Sequence, residues 1–320
     1  MKPLVLLTHA IHCDAMRRLA EEAVVHVATA TDEASLCEQI AQAAAVIVRT
    51  PLTPAVIRAG TNLKVVARHG VGLDYIPVTT CTELGIPVVF TPNANTESVA
   101  EHAVGAMIAL SHNFVPADRA VRDHAWARRE AMIGLDIFGR TLGILGMGRI
   151  GTRVAEICRT AFGMRVLGYD PFLKSEEIKV RGAGPAGLNE ILGQSEFLTL
   201  HMPLNDSTRH ILNADAFNRV RTGVFLINAA RGGLVDTSAL AGAMLTGRVR
   251  GAALDVLEDE PPRKDNPLLA IDNIIFTPHS AALTEEALLR MGMDASEDIL
   301  RVLRGERPLN CANPTTLRAH

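Results

Sequence analysis

The chain has 320 residues, of which 48% are hydrophobic and 21% charged, with a net charge of −3 at pH 7. This is the composition of a soluble globular protein long enough for two domains. So small a net charge and an aromatic content of 4% give neither an electrostatic nor a stacking reason to expect nucleic acid or an anionic membrane as partner.

The cysteines, Cys13, Cys37, Cys81, Cys158 and Cys311, are scattered, and no CxxC occurs. That argues against a disulfide framework or a bound metal and fits a reducing compartment. The apolar run at residues 4–7 stops at Thr8 and His9, too short for a signal-peptide core. No stretch approaches the roughly 20 apolar residues of a membrane span. A cytoplasmic protein is expected.

Along the chain, short β-rich runs alternate with helix-like stretches. The expected strands are residues 4–8, 45–48, 64–67, 142–145, 165–169, 197–200, 224–227, 251–254 and 273–276. They are continuous apolar runs, as in strands covered on both faces by helices, and the alternation predicts a doubly wound α/β fold with parallel sheets. Ser98-Val99-Ala100-Glu101 has the form of a capping box and predicts a helix from Ser98 to about Leu110, a connector between two α/β blocks. Residues 113–140, charged and carrying the only tryptophan, Trp126, read equally as an excursion packing on a second subunit or as a solvated helix. A final helix is expected over residues 285–304.

The strongest local motif is Gly146-Met147-Gly148-Arg149-Ile150-Gly151, placed after an apolar strand and before a helical run. In that context the glycines supply a tight turn, close backbone approach to a pyrophosphate, and close helix–strand packing. The helix N-terminus offers free N–H groups to phosphate. Asp170 ends the next strand, nineteen residues past Gly151. There a carboxylate accepts hydrogen bonds from a ribose diol and repels a 2′-phosphate, which favours NAD over NADP.

Three more groups stand just past predicted strands: Arg231 in Asn228-Ala229-Ala230-Arg231-Gly232-Gly233, the acidic run Asp255-Val256-Leu257-Glu258-Asp259-Glu260-Pro261, and His279 in Thr277-Pro278-His279. Singly each reads as an ordinary loop residue. Together, at the carboxyl ends of parallel strands, they can converge where such sheets bind ligands. A guanidinium fork suits a carboxylate, and an imidazole suits proton transfer.

In this order and spacing, with Ser98-Val99-Ala100-Glu101-His102-Ala103, Tyr169-Asp170-Pro171 and His201-Met202-Pro203-Leu204, the chain resembles the D-isomer-specific 2-hydroxyacid dehydrogenases over nearly its whole length. The resemblance implies a Rossmann NAD domain (residues 98–289) inserted into a flavodoxin-like substrate domain (residues 1–97 and 290–320), with closure between them excluding water. It implies that Arg231 binds the substrate carboxylate and carbonyl oxygen, that His279 is the acid/base, and that Glu260 pairs with His279 and stabilises the imidazolium. Asp255 would contact the nicotinamide amide. Gly146, Met147, Gly148, Arg149, Ile150, Gly151, Asp170, His201, Met202, Pro203, Thr208, Ala229 and Ala230 would line the cofactor site, with Arg231 and His279 also at its edge. Gly70-Val71-Gly72 would present backbone N–H groups to the substrate carboxylate, and Arg49 would contact substrate from the first domain. A homodimer paired through the NAD domains is expected.

Asn93 stands where many relatives carry glycine, and Thr50-Pro51 after Arg49 brings no second arginine to grip a phosphate. With the sequence ending at His320, no added regulatory domain is expected. Two rival readings share the scaffold. One is a non-enzymatic NAD(H)-sensing regulator; the other is an enzyme acting on a different small anion such as formate or phosphite.

Overall fold

A computed structural model describes residues 2–317. The chain divides into two compact units, residues 1–95 with 282–320, and residues 96–281. The second boundary falls ahead of the expected residue 290 because the whole of the last helix, Glu285–Leu303, belongs to the first unit, where it packs against the helix Cys13–Glu22 and the strand Val65–Arg68. Thr284 caps that helix, accepting from Ala287 N–H, and Glu285 and Glu286 complement its N-terminal dipole. Its Gly292 permits the approach: a Cβ there would lie 2.8 Å from Ala15 Cβ.

In the first unit, β1 (Leu4–Leu7), β2 (Val24–Val27), β3 (Ala45–Val48), β4 (Val65–Arg68) and β5 (Val88–Val89) form a parallel sheet in the order β2-β1-β3-β4-β5. This is the flavodoxin-like order. Apolar side chains of β1, β3 and β4 fill separate cores on the two faces: Leu6, Val46 and Val66 on one, Val5, Ala45, Ile47 and Val65 on the other. That two-sided burial is why these strands read as unbroken apolar runs.

In the second unit, β6 (Thr141–Leu145), β7 (Arg165–Tyr169), β8 (Gly184–Pro185), β9 (Phe197–Leu200), β10 (Val224–Asn228), β11 (Val249–Leu254) and β12 (Ile274–Phe276) run parallel in the order β12-β11-β10-β9-β6-β7-β8. The order reverses between β6 and β9, the switch point at which a Rossmann sheet binds its dinucleotide. The helix Thr96–Ser111 opens this unit and packs against β10, β11 and the helix Arg149–Phe162. It begins before the expected Ser98, which is a buried residue of its first turns rather than a cap. Glu97 instead forks onto Arg153, with contacts of 2.7–3.1 Å, tying the two helices together.

Residues 113–138 form the helix Phe114–Arg122 and the 3₁₀ turn Trp126–Ala131, leaving Phe114, Val115, Val121, Trp126, Ile133 and Phe138 exposed. Among the described residues no helix is long and apolar enough to cross a membrane.

Candidate active site

The glycine loop leaves β6 at its carboxyl end. Gly146 has φ +98, and a Cβ on it would lie 2.6 Å from the His201 carbonyl carbon after β9. Gly151 lies under the turn, where a Cβ would strike the Gly146 carbonyl oxygen. Gly148 faces open space and caps the helix Arg149–Phe162 with no side-chain bond. The first-turn N–H groups of that helix, unsatisfied by helix geometry, are thereby left to an anion. This cradle fits a dinucleotide pyrophosphate: two glycines close the turn and the third keeps the approach clear.

Asp170 ends β7 as expected and also shapes the loop. Its Oδ2 accepts from Met147 N–H at 3.0 Å and its Oδ1 from Phe172 N–H at 3.0 Å. Arg181 donates to the Met147 carbonyl at 2.5 Å, a brace the sequence reading missed. Asp170 borders an open pocket of about 320 Å³ lined also by Tyr169, Leu173, Pro185 and Glu190.

Past β9, His201 meets the glycine loop with its backbone. Its ring is turned inward, with Nε2 on Thr199 Oγ1 at 2.9 Å and Nδ1 sealed from solvent without a partner. Burial lowers its pKa to about 3, so the ring is neutral. Met202 is buried and Pro203 exposed. Thr208 is buried and commits its hydroxyl to the Pro203 carbonyl at 2.8 Å and to Asn205 N–H at 2.9 Å, so it sets the loop's shape instead of presenting a hydroxyl.

Arg231 follows β10 in a turn built by Asn228. The buried Asn228 amide donates to Arg231 O at 2.9 Å and accepts from Ala230 N–H at 3.0 Å, which fixes Ala229 and Ala230 in the bend. Arg231 Nη1 donates to the Ala230 carbonyl at 2.7 Å.

Asp255, after β11, is buried and organises the next loop. Its Oδ1 accepts from Thr277 Oγ1 at 2.6 Å and Ser280 N–H at 2.8 Å, and its Oδ2 from Ala281 N–H at 3.0 Å. His279 N–H donates to the Asp255 carbonyl at 2.8 Å. These bonds hold His279 at φ +52, a left-handed conformation that costs an L-residue about 1–2 kcal/mol. With three of roughly four acceptor positions filled, this carboxylate acts chiefly on the histidine loop.

His279 Nδ1 lies 2.8 Å from Glu260 Oε2, and Glu260 Oε1 accepts from Leu257 N–H at 3.1 Å. Burial raises the Glu260 pKa, but the hydrogen bond and charge of His279, the Leu257 N–H and the Arg231 charge outweigh it and hold the carboxyl below its ordinary range. An ionised Glu260 can only accept, so Nδ1 is the donor. Nε2 then carries the lone pair of the neutral ring and is the nitrogen available for proton transfer. Arg231, Glu260 and His279 therefore gather at the carboxyl end of one sheet, in the unit that carries the glycine loop.

The remaining expected residues lie in the first unit. Arg49 follows β3, half-buried, with Nη1 on the Ala10 carbonyl at 2.5 Å and its N–H on Thr8 Oγ1 at 2.8 Å. In the Gly70-Val71-Gly72 turn the three N–H groups are not equivalent. Gly70 N–H is already shared between Arg68 O at 3.0 Å and Thr91 Oγ1 at 3.1 Å, because φ +136 turns it inward. Among the described residues, the N–H groups of Val71 and Gly72 have no partner, so a carboxylate could use only those two. Arg68 braces the turn through Gly72 O at 2.8 Å and lies 4.5 Å over the Tyr75 ring.

Residues 104–281 match the family model of the D-isomer specific 2-hydroxyacid dehydrogenase NAD binding domain. Over 312 residues the chain is 42% identical to D-3-phosphoglycerate dehydrogenase of Methanocaldococcus jannaschii, an alignment covering 97% of this chain and 59% of that protein. It is 40% identical to hydroxypyruvate reductase of Thermotoga maritima over 79% of this chain and 82% of the relative. Among solved structures, D-lactate dehydrogenase from Aquifex aeolicus complexed with NAD and lactic acid superposes with a TM-score of 0.85 at 28% identity, covering 97% of this chain and 99% of that one. The chain belongs to the D-isomer specific 2-hydroxyacid dehydrogenase family, and its second unit contains the family's NAD-binding domain. The chain spans less than two thirds of the phosphoglycerate dehydrogenases it matches.

Proposed function

We propose that this chain is an NAD-dependent oxidoreductase that interconverts a small D-2-hydroxy acid and its 2-keto acid. One observation carries the reading: the His279 Nδ1–Glu260 Oε2 bond of 2.8 Å, beside Arg231, in the unit that holds the dinucleotide loop. Bound NAD supplies a hydride acceptor in its oxidised form and a donor in its reduced form. The Arg231 guanidinium binds the substrate carboxylate and polarises the C2 carbonyl, work that its planar fork suits. In reduction, C2 gains a hydride and His279 Nε2 delivers a proton to the carbonyl oxygen. In oxidation, Nε2 removes the hydroxyl proton as the hydride leaves. Glu260 stays ionised and stabilises the imidazolium in both directions.

Asp170 selects against a 2′-phosphate, which gives NAD the preference over NADP. Arg49 and the Val71 and Gly72 N–H groups contribute to substrate binding from the first unit. The protein works in the cytoplasm as a homodimer, for which the exposed apolar residues of 113–138 supply the surface; sedimentation at the mass of a single chain would overturn the dimer. Turnover of glyoxylate, hydroxypyruvate, pyruvate, phosphohydroxypyruvate and sulfopyruvate, each with NADH and with NADPH, tests the reading and names the side chain. At least one keto acid is expected to be reduced faster with NADH, whereas a clear NADPH preference would overturn the role of Asp170.

A further inference from the structure

A cluster outside the acid/base pair joins the loops that carry it. Glu258, two residues before Glu260, accepts from Thr237 N–H at 2.9 Å and Thr237 Oγ1 at 2.5 Å through Oε2, and its Oε1 lies 2.6 Å from His210 Nε2. Thr237 opens the helix Thr237–Leu245 just past the Arg231 turn. The His210 strip is stitched to the same turn by backbone bonds: His210 N–H to Gly233 O at 2.8 Å, Leu212 N–H to Leu234 O at 3.1 Å, and Asp236 N–H to Leu212 O at 3.0 Å. Asp236 Oδ2 stands 4.0 Å from His210 Nδ1. His210 itself sits at φ +49, a conformation rare outside glycine. The two loops also touch directly, since a Cβ on Gly232 would overlap the Leu257 carbonyl. Leu257 N–H in turn holds Glu260.

We infer that Glu258 is a positioning residue, clamped by His210 and Thr237, that fixes the Glu260 loop against the Arg231 turn and so sets the geometry of the acid/base pair. Burial raises the Glu258 pKa, but the Thr237 and His210 hydrogen bonds outweigh it, so the clamp is anionic. None of these residues needs to touch substrate; each acts through the position of Glu260. Their partners lie 21 and 48 positions away in sequence, so only the folded chain assembles them.

Only the kinetic half of the test rests on the function proposed above. Glu258→Ala is expected to lower kcat about tenfold or more, with KM for NADH within about twofold of wild type. Glu258→Gln, which keeps an acceptor for Thr237, should recover part of that loss. In a Glu260→Gln background, Glu258→Ala should cost less than about threefold, because its route to the chemistry is already cut. A full multiplicative loss in that background, or a loss confined to KM, would overturn the clamp.

Amide hydrogen exchange supplies a readout that needs no turnover. Segments 231–237 and 256–262 should exchange about tenfold faster in Glu258→Ala than in wild type, while β6 and β9 stay protected. His210→Asn, which tolerates the left-handed backbone but is too short to reach Glu258, should loosen the same segments and serves if the alanine variant does not fold. Unchanged exchange in those segments overturns the inference whatever the activity. Absence of wild-type turnover would count against the proposed function and leave the exchange result to decide the clamp.

Discussion

His279→Asn should lower kcat for keto-acid reduction about 10³-fold, within the range typical of losing a general acid, while NADH still binds. Asparagine tolerates the left-handed backbone that His279 adopts, so the loop should keep its course and the loss should lie in the chemistry. Steady-state kinetics beside a fluorescence titration of NADH separate the two. Unaltered kcat, or lost activity explained by lost NADH binding, would count against Nε2 as the proton donor.

Glu260→Gln should lower kcat less than His279→Asn does, and the native pair's carboxylate should stay ionised from about pH 5.5 to 8. The sign follows from the lowered Glu260 pKa. A carboxyl whose folded pKa lies below its unfolded value contributes its full stabilisation above the ordinary carboxylate range. It loses that contribution only as pH falls through the lowered value. The pair's carboxylate partner is therefore already ionised throughout the neutral range, and a Glu260→Gln loss of kcat at pH 7 as large as that of His279→Asn would contradict its supporting role.

Arg231→Ala should lower kcat/KM by about 10³-fold or more, since in the proposed reaction one group both holds the carboxylate and faces the developing oxyanion. Arg231→Lys should recover little. An ammonium is a point charge and cannot reproduce two parallel hydrogen bonds. The measurement is kcat/KM for the best keto acid at saturating NADH, and a lysine variant within about threefold of wild type would remove the bidentate role.

Strands buried on both faces were legible because their pattern is local. Residues 142–145, 197–200 and 224–227 are unbroken apolar runs, and they lie at the centre of their sheet. The strands that escaped notice are edges: β2, with the exposure pattern of a half-covered strand, β5 with two residues, and β8, whose Gly184-Pro185 has no strand signal at all. Such elements form because a neighbour supplies a ladder.

At the site, Arg231, the acidic run 255–260 and His279 stand out because each follows a recognisable strand, whereas the choice of Glu260 within that run rests on the family resemblance. Which N–H groups remain free could not be named. Gly70 N–H is lost to Thr91, and that contact spans 21 residues. Asp255 reads from sequence as one carboxylate in an acidic run. Its part in turning the His279 loop depends on Ser280 and Ala281, which reach it only once β11 and β12 pair. The clamp of Glu258 is hidden for the same reason.

The proposed function rests on hydride transfer between the nicotinamide ring and C2 of a D-2-hydroxy acid. Incubating the protein with NADH deuterated at the transferring position and its best keto acid, then resolving the product on a chiral column with mass detection, tests this most directly. One deuterium at C2 and only the D enantiomer are expected. A product without deuterium at C2, or with the L configuration, would contradict it.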